Sequence, residues 1–149
     1  MTLDHAHPDC NGTGAGAVSA AAVRLVLPWT VVPSDNLRRG IVGASNRQKW
    51  REYRDRVDAA RVVALSQVRG ERPRFRCPVR LTAEVCPPDN RRRDILNLAK
   101  GCADALIGVV YADDSLIYDA RWIRGPTSTR WNACVVLTVE PLSEEARET

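Results

Sequence analysis

The stretch that most restricts the fold runs from Asn46 to Val68. Trp50, Tyr53, Val57, Ala60, Ala64 and Leu65 recur there at helical spacing, while Arg51, Arg54, Asp55, Asp58 and Arg61 fall largely on the other side. Apolar residues three and four apart form one stripe on a helix but scatter over both faces of a strand. Ser45, with Gln48 three positions on, forms a capping box at the start. The spacing therefore predicts an amphipathic helix over about 46–68. Such a helix is stable only against a second apolar surface, so the rest of the chain must supply one.

Alternating segments supply it. "VRLVLPW" (Val23–Trp29), "VRLTAEV" (Val79–Val85), "DARWI" (Asp119–Ile123) and "ACVVLTVE" (Ala133–Glu140) read as strands. "TVVPSDNLRRGIVGAS", "GERPRFRCP" and "CPPDNRRR" carry the Pro, Gly and Asn of loops, and "RGPTST" joins the last two strands. A second helix is predicted over about 94–107, stopped by Gly108. The order β-α-β-α-β-β implies an α+β class: a single compact domain, a small mixed β-sheet, and two main helices packed on one face. We expect that domain over residues 22–142, with tails at 1–21 and 143–149. No internal repeat interrupts this pattern.

A chain of 149 residues with 44% hydrophobic content can bury a sizeable core. No apolar run approaches the roughly 18–20 residues that cross a bilayer, and the N-terminus lacks the pattern of a signal peptide. A cytoplasmic location and no membrane partner are the expectation. Cys10, Cys77, Cys86, Cys102 and Cys134 include no C-x-x-C pair and read as scattered small hydrophobes. His5, His7 and Cys10 could chelate a soft metal, but they sit in a Gly/Ala-rich tail. The formal net charge is +4; of 22 Lys+Arg residues only Lys49 and Lys100 are lysines, leaving 20 arginines. Arginine's planar fork suits phosphate, which makes a polyanion a plausible partner.

The chemistry gathers around "RRRDILNLAK", Arg91–Lys100. On a helical wheel that starts at Asp94, Ile95, Leu96, Leu98, Ala99, Cys102, Ala103, Ala105, Leu106 and Ile107 fill an arc from about 20° to 220°. Asp94, Asn97, Lys100, Gly101 and Asp104 share the remaining arc. Each polar residue has an ordinary reading: Asp94 as an N-cap, Lys100 and Asp104 as an i,i+4 pair, Arg91, Arg92 and Arg93 as a solvated loop. Asp113 and Asp114 are adjacent carboxylates in "GVVYADDS". They read either as a surface turn or as oxygen ligands for a hard divalent cation.

Taken together, "LPW…PSDN" and "PPDNRRRDILNLAKGCADALIGVVYADDS" resemble the RusA-like family of Holliday junction resolvases over roughly residues 23–140. The family pattern is a basic run, then D-x-D-N-x-x-K, an Asp-Ala-Leu on the same helix, and a D-D turn. Asp94, Asn97 and Lys100 match the first part, Asp104-Ala105-Leu106 the second, and Asp113-Asp114 the third. The resemblance implies a homodimeric endonuclease that binds four-way DNA junctions and cuts two strands with Mg²⁺, or Mn²⁺ in its place, in recombination or repair. By the same carry-over, Asp94, Asp114 and Lys100 would be catalytic. Asp94 and Asp114 would hold the metal, with Asp113 as a weaker ligand, while Arg91, Arg92, Arg93, Asn97 and Lys100 would meet DNA.

One departure matters. Leu96 stands where the family has its second aspartate, an expected ligand, and its place at the edge of the apolar arc suits packing instead. A junction-binding protein that has lost cleavage is therefore an alternative. An α+β interaction module with a merely solvated polar stripe is another.

Overall fold

The computed structural model describes residues 22–33 and 46–143. Ser45 of the capping box, the tail bearing His5, His7 and Cys10, and the last three residues of "PSDN" lie outside them. The strands are β1 (Val23–Pro28), β2 (Val79–Cys86), β3 (Ile117–Arg124) and β4 (Cys134–Pro141). The helices are α1 (Asn46–Gln67) and α2 (Ile95–Leu106). Single 3-10 turns follow β1 at Trp29–Val31 and precede β3 at Asp114–Leu116.

The sheet order is β1-β4-β2-β3. β4 runs antiparallel to both β1 and β2, whereas β2 and β3 are parallel and joined through α2. The fold is thus the α+β arrangement expected, a mixed four-stranded sheet with two helices. β3 and β4 are consecutive but not neighbours, because β2 lies between them.

Strict alternation along the inner strands explains the core. Val79, Leu81, Ala83 and Val85 of β2 and Val135, Leu137 and Val139 of β4 are buried on one face. Leu25 and Leu27 of β1 join them, and the helices cover this face with Tyr53, Val57, Ala60 and Ala64 from α1 and Leu98, Cys102, Ala105 and Leu106 from α2. Fully burying one such large apolar side chain stabilises by about 1.5–3 kcal/mol. Trp50 departs from the expected stripe: it is exposed, with its ring edge-on to Tyr53 at 6.3 Å. Phe75, inside a segment read as loop, is fully buried, and its backbone bonds to Val110 and Ala112 at 2.7 and 3.2 Å. Cys86, Cys102 and Cys134 are free thiols, and Cys102 is in the core.

The outer face is polar. Arg80 reaches Asp119 at 2.7 Å and Glu140 at 3.4 Å. Hydrogen bonds from Arg80 and then Arg121 hold the Asp119 carboxyl below the usual carboxylate range. At the β1 edge the Gln67 side chain imitates a neighbouring strand: its amide accepts from the Val26 N–H at 2.8 Å and donates to the Val26 carbonyl at 2.7 Å. Among the described residues, no helix is long and apolar enough to cross a membrane.

Candidate active site

Asp94 is the N-cap of α2: its backbone is extended, and its carboxylate Oδ1 accepts the Leu96 N–H at 3.0 Å. This satisfies one of the N–H groups a helix start leaves without a partner. The second carboxylate oxygen has no part in that bond, and the residue is exposed. The basic loop just before it is organised by Asp89. Arg93 donates to Asp89 Oδ1 at 2.7 Å and the Arg91 N–H donates to the same atom at 3.0 Å. These contacts, Arg93 first, hold the Asp89 carboxyl at about 2. Thr127 donates to Asn90 Oδ1 at 2.6 Å and the Ser128 N–H to the Pro87 carbonyl at 2.8 Å, tying the loop to the segment before β4.

The three arginines have separate environments. Arg93 is clamped by Asp89, and its guanidinium lies 5.3 Å from the Trp29 ring centre. Arg92 is exposed and lines a groove of about 710 Å³ with Trp29, Thr30, Arg56, Asp94 and Asn97. Arg91 projects outward, with only a 3.7 Å approach of its Nε to Asp89. Trp29 entered the sequence reading as the end of the first strand and within the "LPW" match, with no site role given to it.

Two expectations along α2 need correction. Leu96 is 66% exposed, not packed as its place at the edge of the apolar arc suggested. Asn97, read as part of an open polar stripe, is only 7% exposed. A distant part of the chain also reaches this side of the helix, one turn on at Gly101. Pro33 packs over this side of the helix, so closely that a Cβ on Gly101 would sit 2.5 Å from the Pro33 Cβ. The glycine within the stripe thus marks an approach of the chain to itself. Asn97 faces the groove wall from a sheltered position.

The opposite end of the stripe meets the D-D turn. Lys100 Nζ lies 3.2 Å from Asp104 Oδ1 and 3.7 Å from Asp114 Oδ2. Tyr53 donates to the other Asp104 oxygen at 3.0 Å, and Arg61 donates to the Asp104 carbonyl at 2.8 Å. Both partners come from α1, which helical spacing alone could not have matched to α2. Below them the buried Tyr111 hydroxyl donates to the Ala103 carbonyl at 2.7 Å. Burial, then the nearby Asp104 and Asp114 charges, push that phenol far up. Asp113 turns away from this cluster to cap the 3-10 turn, accepting the Ser115 N–H at 3.2 Å. Its hydrogen bonds with Ser115 hold its carboxyl low.

The site therefore brings Lys100, Asp104 and Asp114 together. Asp94 begins the same helix at the mouth of the groove, and Asp113 acts as a cap. Among the described residues, no three His, Cys, Asp or Glu side chains are grouped to hold a metal ion, so Asp94, Asp113 and Asp114 do not form a three-carboxylate cluster. Oxygen donors of the right kind for a hard cation are nevertheless exposed at Asp94 and half-exposed at Asp114. Leu96 precedes Lys100 by four residues, hence on the same side of the helix.

The family model described as Endodeoxyribonuclease RusA matches residues 28–133, a span that includes every residue of the candidate site. The chain belongs to the RusA endodeoxyribonuclease family. No curated protein matches it. RusA membership implies an endonuclease that acts on Holliday junctions in recombination.

Proposed function

We propose that this RusA-family protein is a Mg²⁺-dependent homodimeric endonuclease that resolves four-way DNA junctions by paired phosphodiester hydrolysis. The observation that carries the reading is the position of Lys100, within 3.7 Å of Asp114 and 3.2 Å of Asp104 on a family framework. Asp94 and Asp114 would hold the cation. Mg²⁺ commonly takes only one or two protein carboxylates and fills its remaining positions with water and phosphate. When bound, it supplies Lewis-acid polarisation of the scissile phosphate. Lys100 stabilises the charge that develops there, its ammonium already held by two carboxylates on the side of the turn. Arg91 and Arg92 grip the DNA backbone without reading sequence, and Arg93 holds their loop in shape through Asp89 and Trp29.

A specific observation favours a second reading, junction binding without cleavage: the exposed Leu96 offers no oxygen on the side of α2 that carries Lys100. Incubation with a synthetic four-way junction and with linear duplex, each with and without Mg²⁺, separates the two. Paired nicks confined to the junction, dependent on Mg²⁺ and removed in Asp94→Asn, are the expected result. Tight junction binding with no nicks would leave the binding protein. Equal weak binding to both DNAs would sink both readings.

A further inference from the structure

Cys86 is the last residue of β2 and Cys134 the first of β4, and the two are direct partners across the antiparallel pair. Far apart in the sequence, they share the outer face of the sheet, where both are half-buried free thiols. The Cys134 side chain lies close enough to share a hydrogen bond with that of Cys86. Gly125, just beyond β3, borders the same thiol: a Cβ there would stand 2.9 Å from the Cys86 Sγ. The bare backbone at that position leaves the sulfur room to turn.

The strand register meets the demands of a covalent bond. Opposed Cα atoms of antiparallel strands stand about 4.5 or 5.5 Å apart, and a disulfide spans about 4.4–6.8 Å between Cα atoms. Opposed Cβ atoms stand about 4.5–5.5 Å apart, and the bond draws them to about 3.5–4.5 Å. Both cysteines sit at strand ends, where a shift of that size disturbs few ladder hydrogen bonds. Cys102 is the contrast. It is fully buried on α2, and burial pushes its thiol up to about 12. Burial first, then the Cys134 neighbour, also raises the Cys86 thiol. Its thiolate fraction is therefore small at neutral pH, and exchange needs excess oxidant.

We propose that Cys86 and Cys134 are a modification site, a dithiol that closes reversibly into a cross-strand disulfide with a small-molecule disulfide such as oxidised glutathione as oxidant. One cysteine, as thiolate, attacks a sulfur of the oxidant. The oxidant's S–S bond breaks, and one glutathione leaves and takes up the proton that the cysteine released. The second cysteine then attacks the protein sulfur of the mixed disulfide and expels the other glutathione, which takes up the second proton. Two electrons pass from the cysteine pair to the glutathione pair. The bond closes a ring that contains the basic loop, α2, the D-D turn and β3. Pro87 and Asn90 are already tied to Ser128 and Thr127, just ahead of Cys134. The new bond thus reinforces an existing seam, and the oxidised form is harder to unfold. The site belongs to the chain itself, whether or not the protein cuts junctions.

The test incubates the full chain with excess oxidised glutathione and alkylates the remaining thiols. The band that runs at monomer mass without reductant is then digested with trypsin, which puts each of the five cysteines on a separate peptide. The expected product is Leu81–Arg91 joined to Trp131–Arg147, two hydrogens lighter than their sum and parted by dithiothreitol. The thermal midpoint should rise by about 5–10 °C on oxidation and return on reduction. Cys86→Ser and Cys134→Ser should each lose both the joined peptide and the rise. Separate peptides, whether unmodified or each carrying glutathione, overturn the proposal, as does Cys86 joined to any other cysteine. A joined peptide with an unchanged or lowered midpoint overturns the stabilised ring. The peptide map of the wild-type chain decides the matter even where a serine variant fails to fold.

Discussion

Leu96 exposes an apolar side chain beside charged neighbours, and only its chemistry separates it from a ligand. Leu96→Asp would add an exposed carboxylate four residues before Lys100, within reach of that ammonium. Higher junction-nicking rates at limiting Mg²⁺ are expected, with little change in thermal stability because the leucine packs against little. Unchanged nicking across a Mg²⁺ titration would argue that position 96 lies outside the metal's reach. A second residue-scale outcome concerns Asp89. Its carboxyl is lowered from 3.8 to about 2 by Arg93 and the Arg91 N–H. A lowered folded value means the contact stabilises above pH 3.8 and is lost as the pH falls through about 2. A carboxyl-shift titration should place the Asp89 midpoint near 2, and Arg93→Ala should move it up towards 3.8.

At the level of elements, α2 shows how a helix can be read correctly and still be misplaced. Its ends were legible because Asp94 caps one and Gly108, at φ +84°, closes the other in a backbone region that favours glycine. Its apolar side was legible from the period. The burial of Asn97 and the approach of Pro33 to Gly101 were not, because a wheel contains no neighbours from other parts of the chain. Tyr53 and Arg61 on α1 were likewise visible as helix positions but not as partners of Asp104. The consecutive strands β3 and β4 were found, yet their separation by β2 depends on sheet order, which alternation does not encode. Gly101→Ala tests the close approach. Alanine adds about 1 kcal/mol of helix propensity, but its Cβ would meet Pro33 at 2.5 Å from Cβ and 2.9 Å from the carbonyl oxygen. Overpacking of this kind costs about 1–3 kcal/mol, so chemical denaturation should show a net loss of stability. A gain would mean that Pro33 yields freely.

For the molecule as a whole, a net charge of +4 and an arginine-rich basic loop make salt the informative variable. Junction affinity should fall linearly on a plot of log affinity against log salt. Arg92→Ala should flatten that slope by about one unit, as loss of a single phosphate contact would. Arg93→Ala should weaken binding through disorder of the loop as well, and so lose more affinity than its slope change accounts for. Sheet order adds a constraint of a different kind. β4 is synthesised after the other three strands, yet it lies between β1 and β2 and pairs with both along their whole lengths. During translation, β1 therefore waits without a partner until Cys134–Pro141 has left the ribosome. The nascent chain carries its basic loop and both helices before β4 can join β1 to the β2–β3 pair. The sheet is complete only once β4 has emerged, so a ribosome stalled before β4 would present a protease-sensitive chain, whereas one stalled on an added extension far enough beyond Pro141 to free β4 would not.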